Sequence, residues 1–574
     1  MNKKINLIQK FLIKNNFSFY LVTNSDIHLN ESPNLEQKDI FNLTGFDCSN
    51  GYLIILRKNI LFFTDSRYTL AASNFFKKKC KVFDLKNQSI SDYLQTSFSN
   101  IKGLIDPKLI SIQEIINLKN RLDKSSIKII PHYKYIFSKN YLPNFDISYP
   151  LSLPKYCVPR KYSDNIRWIR LSLKSEGIII WNNSHVAYLL NIRSFEIQNS
   201  TKPFAGLFIP KNDTKPILIS ENKYLKKIEK LNKNFDFMSQ KKFITYISKS
   251  KINSIETSYR YSNYDIYLSL TKNISIKETK IHIDKKISQK TKVEFNNIKL
   301  CHIQDGISLT KFILQSKNNN KSFKDEYSIA HNLYQLRKQG VNFFRNSFDY
   351  ISALDKNAAI IHYKPSQESS QKLSNQSLLL LDSGAHYLEG TTDVTRVIKF
   401  NKLKFTNIKT YYTYLLKSLI LVENTIFPKG ITGFDLDLFI RSYLSKYNIS
   451  YGHGTGHGVG YFNDVHEKYP VLSPNSKQII LNNNLFSIEP GFYMNNKFGL
   501  RLENLYFSEI LNQKVKLINV TLVPYELSLI DWKLITMKER NFIKNYHKKI
   551  YENIEMYLSL IDRKKYVKTL INKI

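Results

Sequence analysis

Cysteine is scarce in this chain of 574 residues. Four are present, Cys48, Cys80, Cys157 and Cys301, far apart and with no Cys-x-x-Cys pair. That spacing argues against a disulfide framework and against a structural zinc site, and it suits a reducing compartment. No run of about 18 apolar residues occurs, so no membrane span is predicted. Short internal repeats and long low-complexity tracts are also missing. Acidic residues are few: 47 Asp and Glu face 85 Lys and Arg, a formal charge of +38. The lysines run through every segment beside abundant Asn and Ile, and no aromatic-interleaved basic motif forms. The excess therefore reads as compositional. No specific nucleic-acid partner is expected, although a salt-sensitive attraction to polyanions is.

What is present is a globular chain, 42% hydrophobic, and too long for one core, so two to four domains are expected. The first residues, MNKKINLIQKFLIKNNFSFYLV, place Ile5, Ile8 and Leu12 on one helical face. They are basic, without an apolar leader core. They are rich in Lys and Asn where a mitochondrial transit segment would use Arg and Ser, so the expected location is cytoplasmic. Residues 1–150 alternate strands (Phe17–Thr23, Gly51–Leu56, Ile60–Phe63) with helices (Arg67–Phe76, Ile112–Leu122), an α/β pattern. A proline-marked stretch, His132–Pro159, reads as a linker. A second α/β unit, 151–291, follows with a similar helix–strand–helix order. Asp47, Asp65 and His28 are expected to be turn and cap residues more than a binding face. The third unit, 292–574, opens with helices at Glu294–Gln315 and Asp325–Lys338, and ends in a Lys-rich helix, Met537–Leu560.

Within the third unit, Leu378–Phe400 reads LLLLDSGAHYLEGTTDVTRVIKF. Two β-type runs joined by a glycine-bearing loop predict a hairpin. Asp382 ends the first run and Asp393 starts the second, so the loop can bring the two carboxylates together. Adjacent carboxylates cannot both stay ionised in an apolar setting without a positive partner. A metal site and a pair of turn-capping aspartates are equally open from this stretch alone. Downstream, YGHGTGHGVG (Tyr451–Gly460) interleaves His453 and His457 with glycines, a pattern that a plain amphipathic helix does not have. FSIEPG carries Glu489 at the end of an apolar run, and GLRLENLYF carries Glu503 inside one. Two Asp, one His and two Glu beside glycine turns or in apolar strands are hard to explain as independent solvated side chains. Such a hard, oxygen-rich set suits two divalent ions, Mn²⁺ ahead of Zn²⁺, Co²⁺ or Fe²⁺.

The words LDSGAHYLEGTTDVTR, HGTGHGVG, SIEPG and LRLEN, with AAIIHYKP before them and LVPYELSLIDW after, resemble the pita-bread metallopeptidases. Among these they are similar to the long, three-domain aminopeptidase P family. TGFDCSNG and FTDSRY are similar to that family's first domain. The resemblance implies two creatinase-like α/β N-terminal domains followed by an α+β pita-bread catalytic domain with a helical tail. It implies that Asp393 and Glu503 bridge two metal ions, with Asp382 on one and His457 and Glu489 on the other. It further implies catalytic roles for His362, His453, His466 and Glu489, a supporting role for Arg501 behind the bridging carboxylates, and a homodimer. The activity implied is release of the residue that precedes proline at a peptide N-terminus, by a hydroxide generated between the ions. Two alternatives stand beside it: a prolidase-type dipeptidase and a non-catalytic pita-bread scaffold. After His466-Glu467 the family pattern has glycine where this chain has Lys468-Tyr469-Pro470, so the expected pocket shape is open there.

Overall fold

The computed structural model describes residues 3–133, 141–143, 150–221, 234–317, 323–400 and 402–574. Parts of the predicted linker, 134–140 and 144–149, lie outside them. The chain forms two compact units: Met1–Pro154 with Arg160–His282, and Lys155–Pro159 with Ile283–Ile574.

The first unit contains two six-stranded sheets. One is built from β1 (Phe19–Thr23), β2 (Tyr52–Leu56), β3 (Ile60–Thr64), β4 (Lys81–Asp84), β5 (Lys102–Ile105) and β6 (Lys128–Pro131), in the order β4-β3-β2-β1-β5-β6. The other uses β7 (Gly177–Ile180), β8 (Gly206–Pro210), β9 (Ile217–Ile219), β10 (Asp236–Met238), β11 (Ser254–Thr257) and β12 (Ser275–Glu278), in the order β10-β9-β8-β7-β11-β12. Every pairing has the same sense in both sheets: β1 runs antiparallel to β2 and parallel to β5, as β7 does to β8 and β11. The shared element order in the sequence is thus one topology used twice. β1 and β3 are buried at every residue, because both faces of their sheet are covered. Tyr20, Val22 and Phe62 pack with Ile5, Ile8 and Leu12 of the helix Lys3–Lys14, while Phe19, Leu21 and Phe63 pack with Ile115 and Leu122 of the helix Ile112–Leu122.

In the second unit, helix Lys292–Ser316 starts at Thr291, whose hydroxyl and Glu294 form a reciprocal capping box. A three-stranded antiparallel sheet follows: β13 (Ile351–Leu354), β14 (Leu378–Ser383) and β15 (Val394–Lys399), with β14 central. A larger sheet carries β16 (Gly456–Gly458), β17 (Glu467–Leu472) and β18 (Leu485–Ile488). Beyond a short pair, Gly491–Met494 with β19 (Phe498–Arg501), it continues as β20 (Asn504–Leu511) and β21 (Lys514–Asn519). Its order from β21 is β21-β20-β18-β16-β17. Helices Ile408–Asn424, Gly433–Ser445 and Met537–Ile554 bury Leu416, Leu419, Leu436, Ile440, Ile543 and Ile550 in one core with Phe486, Ile488 and Leu500. Each such fully buried side chain contributes roughly 1.5–3 kcal/mol. The last predicted helix is shorter than expected. It stops at Ile554, and Ser559 starts a new one at Leu560–Tyr566, its hydroxyl accepting the Asp562 N–H. The chain leaves the first helix through a single 3-10 turn, Glu555–Tyr557, and an extended Leu558, before the Ser559 cap opens the second.

Candidate metal centre

The predicted hairpin exists. β14 and β15 pair antiparallel with Asp382 opposite Thr395, and Asp393 immediately precedes β15. The connection is not a simple loop, however. It folds into a small hairpin of its own, Ala385–Tyr387 against Gly390–Thr391. Gly384 lets the two ends meet: a Cβ there would lie 2.1 Å from the Thr392 carbonyl oxygen. The Thr392 N–H donates to the Ala385 carbonyl at 2.9 Å. This closure is what brings Asp382 and Asp393 together.

His457 is held on β16, which is squeezed between β17 and β18. A Cβ on Gly456 would stand 1.9 Å from the Ser487 carbonyl oxygen, and one on Gly458 2.4 Å from that of Tyr469. The alternating glycines are therefore the condition for packing three backbones side by side. His457 Nδ1 lies 2.9 Å from the Gly458 carbonyl oxygen. A carbonyl only accepts, so Nδ1 carries the proton and Nε2 presents its lone pair. Nε2 is 3.5 Å from Glu489 Oε1 and 3.6 Å from Asp393 Oδ2. Glu489 follows β18 directly, its N–H bonded to the Thr455 carbonyl at 2.8 Å. Glu503 sits between β19 and β20, and its Oε2 accepts the Thr395 hydroxyl at 2.8 Å.

Ligand atoms of Asp382, Asp393 and Glu503 lie within 4.8 Å of one another, as do those of His457, Glu489 and Glu503, and those of Asp393, His457 and His466. Two carboxylate oxygens in this cluster, Asp382 Oδ1 and Glu503 Oε1, are buried and accept no hydrogen bond. Burial first, then the neighbouring carboxylates, pushes the Asp393 and Glu503 carboxyls well above the usual range. Glu489 is pushed up to about 7, again first by burial, against the pull of Arg501. Four carboxyl groups and one guanidinium leave an excess of buried negative charge, which cations would neutralise.

The remaining predicted residues take distinct places. Arg501 is fully buried and reaches Asp382 Oδ2 directly with Nη2, at 2.6 Å. It reaches Glu503 only through Thr395, whose hydroxyl accepts from Nε at 3.2 Å. Its Nη1 donates to the Tyr493 hydroxyl at 2.7 Å. The His466 ring stands edge-on to His457, centroids 4.2 Å apart. His453 Nδ1 faces the Gly454 carbonyl at 2.8 Å, so its Nε2 accepts from the Tyr493 hydroxyl, also at 2.8 Å. His453 is thus joined to Asp382 through Tyr493 and Arg501. His362 lies half-buried on a turn beyond the short helix Asp355–Ala359. That helix presses on β19, where a Cβ on Gly499 would meet the Ala358 carbonyl oxygen at 1.8 Å. Among the described residues, the ligand-atom groupings take in neither His362 nor His453. His28, doubted as a binding residue, is buried against Trp181 and Phe204.

Tyr493, Thr395 and Arg441 escaped the sequence reading. Arg441 donates to the carbonyls of Tyr451 and His453 at 2.8 and 2.6 Å, which fixes the loop that carries His453. Nothing in the local sequence pattern sets Thr395, Tyr493 or Arg441 apart. Only the tertiary fold reveals them.

A buried cluster of four carboxylates and an imidazole, at the meeting of two antiparallel sheets, has the donor set of a metal-dependent hydrolase, and the sequence comparisons place it among the metallopeptidases. The sequence matches the metallopeptidase family M24 over residues 297–508, the C-terminal region of peptidase_M24 over 515–573, and the creatinase/prolidase N-terminal domain over 4–134. A probable Xaa-Pro aminopeptidase P of Pyrenophora tritici-repentis is 30% identical over 561 residues, covering 90% of this chain and 92% of that protein. Xaa-Pro aminopeptidase 1 of Dictyostelium discoideum is 28% identical, covering 100% and 96%. The crystal structure of an X-prolyl aminopeptidase from Caenorhabditis elegans, described as a cytosolic enzyme with a di-nuclear active site, superposes with a TM-score of 0.88 at 24% identity. That match covers 96% of this chain and 95% of the other. An Xaa-Pro dipeptidase from Bacillus anthracis covers only 64% of this chain, with a TM-score of 0.53 at 21% identity. The chain belongs to metallopeptidase family M24, within the group of the Xaa-Pro aminopeptidases P. It is a metal-dependent hydrolase, and the creatinase-plus-pita-bread fold read from its sequence is the fold it has.

Proposed function

We propose that this chain releases the N-terminal residue from peptides with proline in the second position, using two divalent ions held by Asp382, Asp393, His457, Glu489 and Glu503. The observation that carries the reading is the convergence of these five side chains, with Asp382 Oδ1 and Glu503 Oε1 buried and without a hydrogen bond. Buried carboxylate oxygens without a donor are costly unless a cation lies among them. Asp393 and Glu503, each of which belongs to two of the ligand groupings, would serve both ions; Asp382 would serve one, and His457 with Glu489 the other. The donor set is oxygen-rich, which favours Mn²⁺. When bound, such a pair acidifies a water molecule and polarises the scissile carbonyl.

The protein's own groups do the rest. The side chains of His457 and Glu489 keep 16% and 18% of their surface exposed, while that of Asp393 keeps 5%. Substrate therefore arrives on the Glu489–His457–His466 side. Glu489 takes the proton from the attacking water and passes it towards the leaving nitrogen. An Xaa-Pro bond has no N–H to grip, so the pocket must read the pyrrolidine ring by shape. His362, His453 and His466 wall that pocket and steady the carbonyl. The three-domain division at 1–150, 151–291 and 292–574, a homodimeric state and a cytoplasmic location belong to the same proposal.

The test compares an Ala-Pro-Ala tripeptide with an Ala-Pro dipeptide, each with EDTA-stripped and Mn²⁺-loaded protein. The expected result is Mn²⁺-dependent release of alanine from the tripeptide. Cleavage confined to the dipeptide would make it a prolidase. No cleavage of either with Mn²⁺ bound would overturn the reading in favour of a non-catalytic scaffold.

A further inference from the structure

Glu326 opens the helix Glu326–Lys338 and is fully buried. Its Oε1 accepts the Leu354 N–H at 2.7 Å and the Asn357 side-chain amide at 3.0 Å. Its Oε2 accepts that amide at 3.1 Å, the Tyr363 hydroxyl at 2.7 Å and the Gln371 N–H at 2.7 Å. Its own N–H donates to the Gln371 carbonyl at 3.2 Å. All of these partners lie at the end of β13 or in the connection from β13 to β14, the segment that carries His362 one residue before Tyr363.

A carboxyl group buried this completely is costly, and an apolar residue would close the core at lower cost. What the carboxyl does that an apolar residue cannot is fix four points of one connection at once. The ends of that connection are tied as well. Asp355 accepts the Leu378 N–H and the Gln371 side-chain amide, each at 2.9 Å. The far side of the connection rests on β19 through Ala358 and Gly499, and Tyr363 packs against the same buried cluster of Ile351, Ala353, Ala358 and Leu380 as Tyr493, the partner of Arg501 and His453.

We infer that Glu326 is a positioning residue for catalysis: through Asn357, Tyr363 and Gln371 it sets where the His362 side chain stands relative to the metal cluster. This rests on the role proposed for His362. Glu326 touches none of the ligands, so its loss is expected to change turnover and leave metal affinity alone. Glu326→Gln keeps the volume but turns an NH₂ group towards donors, which frees the connection to shift. A misplacement of about 1 Å at a reacting group lowers turnover by up to about 100-fold.

The experiment is a double-mutant cycle on the full-length, Mn²⁺-loaded protein with Ala-Pro-Ala, reading kcat, KM and, by calorimetry, Mn²⁺ affinity. Glu326→Gln is expected to lower kcat by about 10-fold or more with unchanged Mn²⁺ affinity. Combined with His362→Ala it is expected to give no further loss, because both act through one side chain. Tyr363→Phe removes a single donor and is the variant to use if Glu326→Gln does not fold. It is expected to show a smaller loss with the same non-additivity. Multiplicative losses in the double variants, or a parallel loss of Mn²⁺ affinity, would overturn the inference. So would wild-type kcat in Glu326→Gln and Tyr363→Phe while His362→Ala is impaired. Wild-type kcat in His362→Ala would overturn the role of His362 and this inference with it.

Discussion

Asp393 and Glu503 are carboxyl groups held in a protonated-favouring environment by burial and by the neighbouring carboxylates, and that has a measurable sign. Their folded pKa values lie above those of the unfolded chain, and Glu489 rises from 4.5 to about 7. At these groups the folded protein binds more protons than the unfolded one, so their contribution to metal-free stability is fully present below about pH 4 and is lost as pH rises towards 7. Thermal melts of EDTA-treated protein are expected to fall across that window, and Mn²⁺ is expected to abolish the fall. A metal-free melt that rises from pH 4.5 to 7 would contradict the assignment. Replacing Asp393 by Asn removes one of the repelling charges. Asp393→Asn is expected to raise the metal-free melting temperature near pH 7 while abolishing Mn²⁺-dependent peptide cleavage. The two readouts move in opposite directions, which simple misfolding does not produce.

At the scale of elements, the ligand strands are held by contacts that the sequence does not advertise. Arg396 on β15 is fully buried and donates to the Glu503 carbonyl at 2.7 Å, to the Val523 carbonyl at 2.8 Å and to the Tyr546 hydroxyl at 3.1 Å. Its guanidinium lies over the Tyr525 ring, 4.6 Å from the centroid. It ties the strand pair that bears the ligands to the C-terminal segment. Lysine cannot match that planar fork. Arg396→Lys is therefore expected to weaken Mn²⁺ binding by about 10–100-fold, measured by calorimetry. Gly456→Ala places a methyl group 1.9 Å from the Ser487 carbonyl oxygen. The expected cost is about 3 kcal/mol, read from denaturant unfolding of the metal-free protein.

These cases separate what was legible from what was not. The ligands were legible because each breaks its local pattern: an aspartate closing four leucines, a glutamate inside an apolar strand, histidines among glycines. The strands around them were legible for the same reason, since buried runs bounded by turn residues stand out. The small hairpin within 385–391 was not, because two- and three-residue strands have no period to detect. The partners of Arg501 and Arg396 were not, because a buried arginine and an exposed one have the same neighbours in sequence.

Across the whole molecule, the duplicated sheet topology of the first unit and the ligand-bearing second unit divide the chain by kind of chemistry. Among the described residues, the groups of side chains able to hold a metal ion all fall in the second. The formal charge of +38 is spread through the sequence and concentrates in no motif. Retention on heparin is accordingly expected to be released by moderate salt, while turnover of a neutral tripeptide such as Ala-Pro-Ala is expected to stay constant over the same salt range. A specific, salt-resistant polyanion complex would show that the charge has a purpose of its own.

Equilibrium binding of Mn²⁺ to the stripped full-length protein, counted per chain, bears most directly on the account. Five converging side chains that cage a pair of cations predict two tightly held ions per chain in the wild type, and loss of tight binding in Asp393→Asn. One ion or none in the wild type, or an unchanged count in Asp393→Asn, would contradict it.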